Sequence, residues 1–297
     1  MHPTTPTPIR WPAEAIWEAV VPSLDGFTVE VLPSIDSTNT ELMRRFRGSP
    51  GVAPQPEPIL LVAEQQTAGR GRLGRHWQSR RGDSLTFSLG LPLQPADWSG
   101  LSLVVGISLA ESLDPGSKLQ SSGKRIGLKW PNDLWLQGPE GERKLAGILV
   151  ETASVEGLRH VVIGVGINIR DAAFASDGVA AGAAAPMPGA GLEEVLPGID
   201  AAQALLRIVP PLVQAIQAFE QFGFAPFQAR FARRDVLAGR TVRLSDGTTG
   251  EAHGVAENGA LLVHTSAGMK EITSSEVSVR PVGAAPARPP AAGDCSC

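Results

Sequence analysis

Residues 68–77 read AGRGRLGRHW, and whether they open a helix decides the fold of the first domain. Gly69, Gly71 and Gly74 have the G-x-G-x-x-G spacing of a dinucleotide-binding turn, which belongs to a doubly wound parallel sheet. That turn needs a strand before it, a helix opening on its last glycine and an acidic residue about 20 positions on. The strand is there: Ile59–Ala63 is a continuous apolar run. The helix is not. Residues 75–83 lead straight into 84–91, where Leu85, Phe87, Leu89 and Leu91 fall on one face of a half-buried strand. Asp97 has the right separation but lies in a loop before a different helix. No phosphate loop ending in Gly-Lys-Ser/Thr occurs in the chain. What remains is a loop of free backbone amides and the guanidinium groups of Arg70, Arg72 and Arg75. Amides and arginines of this kind bind phosphate.

Working outward, the chain reads as strands joined mostly by short turns. Pro12 followed by AEAIWEAV predicts a short helix with proline in its first turn. Residues 27–32 alternate like a strand. Thr38 and Glu41 have capping-box spacing, so a helix opens over residues 40–45. Residues 48–58 are a Pro/Gly-rich loop. Ser99 caps a helix running through Leu113. Residues 126–130, 134–137, 145–151 and 160–169 are further strands, the first two joined by a Pro131-Asn132-Asp133 turn. Residues 172–198 are Ala/Gly/Pro-rich and predict a surface loop. Residues 201–222 carry a helical stripe of Leu205, Ile208, Leu212, Ile216 and Phe219, which Pro210-Pro211 should kink or split. Residues 241–281 hold short strands with turn signals, Asn258-Gly259 the strongest, and predict a small SH3-like β-barrel. The fold class is therefore α+β: a mixed, mostly antiparallel sheet flanked by helices, then a small barrel. The domain boundaries are 1–26 for an N-terminal extension, 27–234 for the main domain, 235–282 for the barrel and 283–297 for a disordered tail.

Composition narrows the class of partner. The 297 residues are 42% hydrophobic and 19% charged, with a formal net charge of −4. Any polyanion site must be a local cluster of Arg and Lys, and one basic loop is a poor nucleic-acid footprint. The two cysteines, Cys295 and Cys297, lie in the last three residues and form no disulfide framework, which fits a reducing compartment. The start lacks the layout of a signal peptide, and no apolar run reaches the ~18 residues of a membrane span. A cytoplasmic protein is expected. The five histidines have no metal-ligand spacing.

Three further clusters carry chemistry. Lys129-Trp130-Pro131-Asn132-Asp133 sets a cation, an amide and a carboxylate around a sharp turn. Turn propensity alone explains Asn132 and Asp133; positioning of a polar substrate and a metal-nucleotide is the other reading. Lys144 opens a strand, as a solvated side chain or as a cation offsetting charge in acyl transfer. Gly164 and Gly166 share one face of a strand, where glycine marks a close approach by a ligand or the close packing of a helix on the sheet. Ser37-Thr38-Asn39 is an N-cap cluster that can also hold an anion or a polar ligand head.

In order and spacing, five blocks resemble the biotin protein ligases, that is, the biotin–[acetyl-CoA-carboxylase] ligases: Asp36-Ser37-Thr38-Asn39; residues 63–77; Lys129-Trp130-Pro131-Asn132-Asp133-Leu134; residues 144–151; and Gly164-Val165-Gly166-Ile167-Asn168. The match covers roughly residues 27–282. The resemblance implies a biotin/lipoate ligase-like catalytic domain that makes biotinyl-5′-AMP from biotin and ATP with Mg²⁺. The biotin then passes to a lysine of a biotin carboxyl carrier domain. It implies biotin contacts at Ser37, Thr38, Asn39, Gln66, Arg70, Gly71, Arg72, Lys144, Gly147, Gly164 and Gly166. It implies ATP or adenylate contacts at Arg70, Arg72, Arg75, Trp77, Lys129, Asn132 and Asn168, with residues 70–72 in a closing loop. Lys144, Arg70 and Asp133 would be catalytic; Asp133 would orient Lys144, help hold Mg²⁺ or accept the incoming proton. Only about 26 residues precede the first strand, too few for the DNA-binding domain of some members, so no DNA partner is expected. A monomer and a homodimer both stay open. Lipoate ligation and biotin-sensing transcriptional control are the alternatives.

Overall fold

The computed structural model describes residues 8–48, 50–114, 123–155, 157–170, 189–273 and 279–282. Seven strands, β1 (Thr28–Leu32), β2 (Ile59–Ala63), β3 (Ser84–Pro92), β4 (Arg125–Lys129), β5 (Asp133–Gly138), β6 (Gly141–Val155) and β7 (Leu158–Asn168), form one sheet in the order β1-β2-β3-β7-β6-β5-β4. β1 and β2 pair in parallel; the other neighbours are antiparallel. Residues 64–83 thus connect two adjacent antiparallel strands, and no helix follows Gly74, as the residues after the loop predict.

Helices α1 (Ala13–Val20), α3 (Leu101–Leu113) and α4 (Ala201–Phe222) pack on one side of the sheet, and α2 (Thr38–Arg47) packs against β6, β3 and β7. The α4 stripe of Leu205, Ile208, Leu212, Ile216 and Phe219 is fully buried, roughly 1.5–3 kcal/mol for each side chain. β3 was expected to be half buried. It lies between β2 and β7 and is buried on both faces from Ser84 to Leu91, because Phe46 of α2 lies over its second face at Gly90.

Four expectations are corrected. Pro210 and Pro211 do not split α4, which runs unbroken for 22 residues. The carbonyls they leave without N–H donors are those of Leu206 and Arg207, both exposed, so water can satisfy them. Ser99 does not cap α3. Its amide bonds to Asp97, and Gly100, at φ 84°, is the N-cap. A left-handed residue is needed there, and Gly100 also leaves no room for a Cβ against Phe224. α2 begins two residues earlier than expected, with Ser37 as its N-cap accepting from the Thr40 amide.

The fourth correction concerns the C-terminal sheet. β8 (Thr241–Leu244), β9 (Thr249–Val255), β10 (Leu261–Thr265), β11 (Gly268–Ile272) and β12 (Val279–Pro281) form an SH3-like sheet in the order β11-β10-β9-β8-β12. It does not close into a barrel. β12 is three residues long and ends in Pro281, which has no amide to donate, and β11 is mostly exposed. The sheet docks on the main domain through buried Arg240, which bonds Glu142 at 2.7 and 2.9 Å, and through the Trp130 indole, which donates to the Gly259 carbonyl. Gly259, at φ 81° in the Asn258-Gly259 turn, lies against Gly100. Of residues 172–198, those from 189 on are described. Glu194 anchors them by accepting from Gly191, Arg143 and Lys124. Residues 172–188 and the tail with Cys295 and Cys297 lie outside the described residues.

Candidate active site

The cleft lies on the same sheet face as α2, whose first turn reaches into it. Successive strand residues point to opposite faces, so Gly147, Leu149 and Glu151 of β6 share this face with Gly164 and Gly166 of β7 and Ser88 of β3. Lys144 is three residues from Gly147 and would fall on the far face of a regular strand. A register shift in the β5–β6 ladder changes that: Ala146 pairs with Leu134 and Lys144 with Trp135, leaving Leu145 as the extra residue. The bulge brings Lys144 onto the cleft face.

There its ammonium meets the Asp133 carboxylate at 2.7 Å, and the Lys129 ammonium lies 3.9 Å from the same carboxylate. Asp133 sits just after the Trp130-Pro131 cis peptide. Burial works to raise its pKa, but Lys144 and Lys129 outweigh it and hold the carboxyl below its usual range. Burial pushes Lys129 down to about 8, opposed by Asp133 and helped by Lys144, Arg75 and Arg72. Burial also lowers Arg72, against Asp133, but a guanidinium stays charged. Asn132 donates to the Ile148 carbonyl at 2.8 Å and receives an Arg72 N–H at 3.4 Å. One carboxylate therefore faces two lysines with two arginines nearby, a cavity wall with surplus positive charge.

A chain of polar side chains makes the opposite end. Gln66 accepts from the Thr38 amide and hydroxyl. Ser88 donates to Thr38 or to Asn39, at 2.7 and 2.6 Å. Asn39 donates to the Leu149 carbonyl and to Glu151. Gly164 makes this possible: a Cβ there would sit 2.0 Å from the Asn39 amide oxygen. Gly166 does the same for Trp77, whose ring would lie 2.3 Å from a Cβ, with Lys144 5.8 Å from the ring centroid. The Trp77 indole N–H is buried without a partner among the described residues.

Residues 69–77 fold back on themselves. Gly71 donates to the Arg75 carbonyl and Trp77 to that of Gly69, where a Cβ would strike the Trp77 carbonyl. Leu73, exposed at the tip, takes the left-handed conformation.

Of the residues singled out in the sequence, Ser37, Thr38, Asn39, Gln66, Arg70, Gly71, Arg72, Arg75, Trp77, Lys129, Asn132, Asp133, Lys144, Gly147, Gly164 and Gly166 line this one cleft. Asn168 does not. It is buried, its amide donates to the Lys144 carbonyl, and its own oxygen has no partner among the described residues. Arg70 lines the cleft but spends its guanidinium on Glu151. Leu149 and Phe87 also line the cleft, and Ser88 and Glu151 bond to residues that do; none of these four was singled out. Sheet pairing brings them in, and only the position of Glu151 at the end of the Lys144 block hinted at it.

Residues 31–168 match the model of the biotin/lipoate A/B protein ligase family, and residues 238–280 match the biotin protein ligase C-terminal domain. The bifunctional ligase/repressor BirA of Escherichia coli is 37% identical over 88% of this chain and 77% of its own length. The chain belongs to the biotin protein ligase family. The biotin–[acetyl-CoA-carboxylase] ligase of Paracoccus denitrificans is 31% identical over 83% of this chain and 98% of its own length. The biotin protein ligase of Aquifex aeolicus, solved in complex with biotin and ATP, superposes with a TM-score of 0.64 at 30% identity, covering 86% of this chain and 99% of that one. Among the described residues of this ligase, no helix is long and apolar enough to cross a membrane.

Proposed function

We propose that this ligase joins biotin to ATP as biotinyl-5′-AMP, releasing pyrophosphate, and then transfers biotin to a lysine of a biotin carboxyl carrier domain. The observation that carries the reading is one cleft with a neutral hydrogen-bonding end (Ser37, Thr38, Asn39, Gln66) and a cationic end (Lys144, Lys129, Arg72, Arg75). The first suits a polar, uncharged ring; the second suits a carboxylate meeting a triphosphate. A biotin carboxylate oxygen attacks the α-phosphorus, the bond to the pyrophosphate oxygen breaks, and Lys144 and Arg72 offset the charge that builds on the phosphoryl oxygens. In the second step the carrier amine attacks the acyl carbon and AMP leaves with the electron pair of the broken anhydride bond. Of the three roles open to Asp133, orienting Lys144 fits best. A carboxylate held below its usual range and bonded at 2.7 Å to an ammonium is a weak base. The same bond argues against Asp133 as an anchor for a resident Mg²⁺, and no cluster of three His, Cys, Asp or Glu able to hold a metal occurs among the described residues. Mg²⁺ belongs to the ATP that enters.

The test is pyrophosphate release from ATP with biotin or with lipoate, followed by transfer to a purified carrier domain. Release with biotin and label on the carrier lysine is expected. Release with lipoate but not with biotin overturns the reading.

A further inference from the structure

The loop arginine nearest the biotin-binding end, Arg70, does not point at the cationic wall. Its two terminal nitrogens bond the two carboxylate oxygens of Glu151, at 2.9 and 3.2 Å, and one of them also lies 3.4 Å from the Thr40 hydroxyl. The Glu151 oxygen at 3.2 Å also accepts from Asn39 at 3.0 Å. Asn39 is 4% exposed and continues through Ser88 and Thr38 to Gln66. A carboxylate on β6 thus receives the closing loop on one side and the buried polar chain on the other. Arg70 lines both the cleft and a second, more open hollow outside it, whereas Glu151, Thr40 and Asp36 line the outer hollow alone. The loop from Arg70 to His76 separates the two spaces, and the ion pair ties its Arg70 end to β6 on the outer side.

Resting on the ligase reading above, we propose that Glu151 is a positioning residue that latches the loop. It holds Arg70 across the cleft mouth and ties that closure to the polar chain at Thr38, Asn39 and Gln66. A planar guanidinium bound through two N–H groups has one favoured orientation, so the pair fixes the loop's direction and its distance. Arg70 then keeps the adenylate in place by holding that loop closed, and Arg72 and Lys144 do the electrostatic work. The pair is only partly buried, at 46% and 23% exposure, so it can open when the carrier amine has to reach the anhydride.

The experiment is a single turnover with biotin and ATP in the absence of carrier, reading the ratio of free to protein-bound biotinyl-5′-AMP over time. Glu151→Gln keeps the side-chain shape and the Asn39 contact, and is expected to release adenylate about tenfold faster. Arg70→Lys, which keeps the charge but loses the two-pronged geometry, should fall between Glu151→Gln and wild type. Arg70→Ala combined with Glu151→Gln should release no faster than the worse single variant, because both changes remove one interaction. Release from Glu151→Gln at the wild-type rate, or additive effects in the double variant, overturns the latch while leaving the ligase reading intact. A wild-type protein that makes no adenylate overturns both.

Discussion

Lys144 shows how much one side chain depends on its surroundings. It is one-third exposed, sits 2.7 Å from Asp133, and its carbonyl receives hydrogen bonds from the Ala190 amide and from Asn168. Its backbone is held from two sides while its ammonium is aimed by a carboxylate, so little reorganisation is needed when the phosphoryl oxygens gain charge. Lys144→Ala should slow single-turnover adenylate formation by about 10²–10³-fold, the size of loss seen when one preorganised electrostatic donor is removed. The melting temperature should fall as well, because Asp133 loses its nearest counter-charge, so the rate is read on folded protein. A single-turnover rate within a few-fold of wild type would return Lys144 to the role of a solvated surface cation. The lysine was legible in the sequence; the bulge at Leu145 that turns it to the cleft was not. Regular alternation puts residues 144 and 147 on opposite faces, and nothing in LAGILVE marks the extra residue.

Among the elements, β7 is the most constrained. Gly164 and Gly166 were readable as a close approach, with a ligand and a packed helix as equal readings. The structure bears out helix packing at Gly164, which makes room for Asn39 of α2, while Gly166 makes room for Trp77 of the loop. The sequence could not show this, because the strand, the helix and the loop meet only after the sheet has formed. Gly164→Ala places a methyl group where the Asn39 amide stands and forces that side chain off Ser88 and Glu151. Overpacking of this kind costs about 1–3 kcal/mol, so biotin affinity should fall about 10- to 100-fold in a calorimetric titration. Unaltered affinity would mean that Asn39 takes no part in the binding end. The helix starts show the same limit. Ser99 and Thr38 have the right chemistry for caps, yet Gly100 and Ser37 do the capping, because the backbone conformation at each position decides.

The whole molecule is held together at a joint with an unusual charge. Asp235 precedes the C-terminal sheet, and its neighbours Arg234 and Val236 bond to the backbone of Leu128, one residue before Lys129. Its Oδ1 accepts from the Leu237 amide, while Oδ2 is buried with no partner among the described residues. Burial raises its pKa to about 6, against the opposing backbone bonds from Leu237 and Ala238. A folded-state pKa above the unfolded value means the neutral form stabilises the fold. That stability is fully present below about pH 4 and lost as pH rises through about 6. At pH 7.5 the charged carboxylate therefore costs about 3 kcal/mol. Asp235→Asn should raise the melting temperature by several degrees at pH 7.5, with the gain vanishing toward pH 4. An equal gain at both pH values would show that titration is not the cause. The sequence reading put a boundary near this residue. That the two parts share a joint one residue from a site lysine was not legible, because Gly127 has to lack a side chain for Val236 to fit.

The ring of Trp77 gives the cleft an optical consequence. Of the six tryptophans, it is the one lining the cleft, resting on Gly166 beneath a lysine ammonium. Trp130 and Trp135 are buried in the core, and Trp17 is exposed on α1. Any molecule that enters must stack on the Trp77 indole, displace it or change the field above it, while Trp135, 5.7 Å from the Lys129 ammonium, senses the cleft only through that lysine. The protein thus carries an intrinsic fluorophore whose emission follows the filling of its own active site.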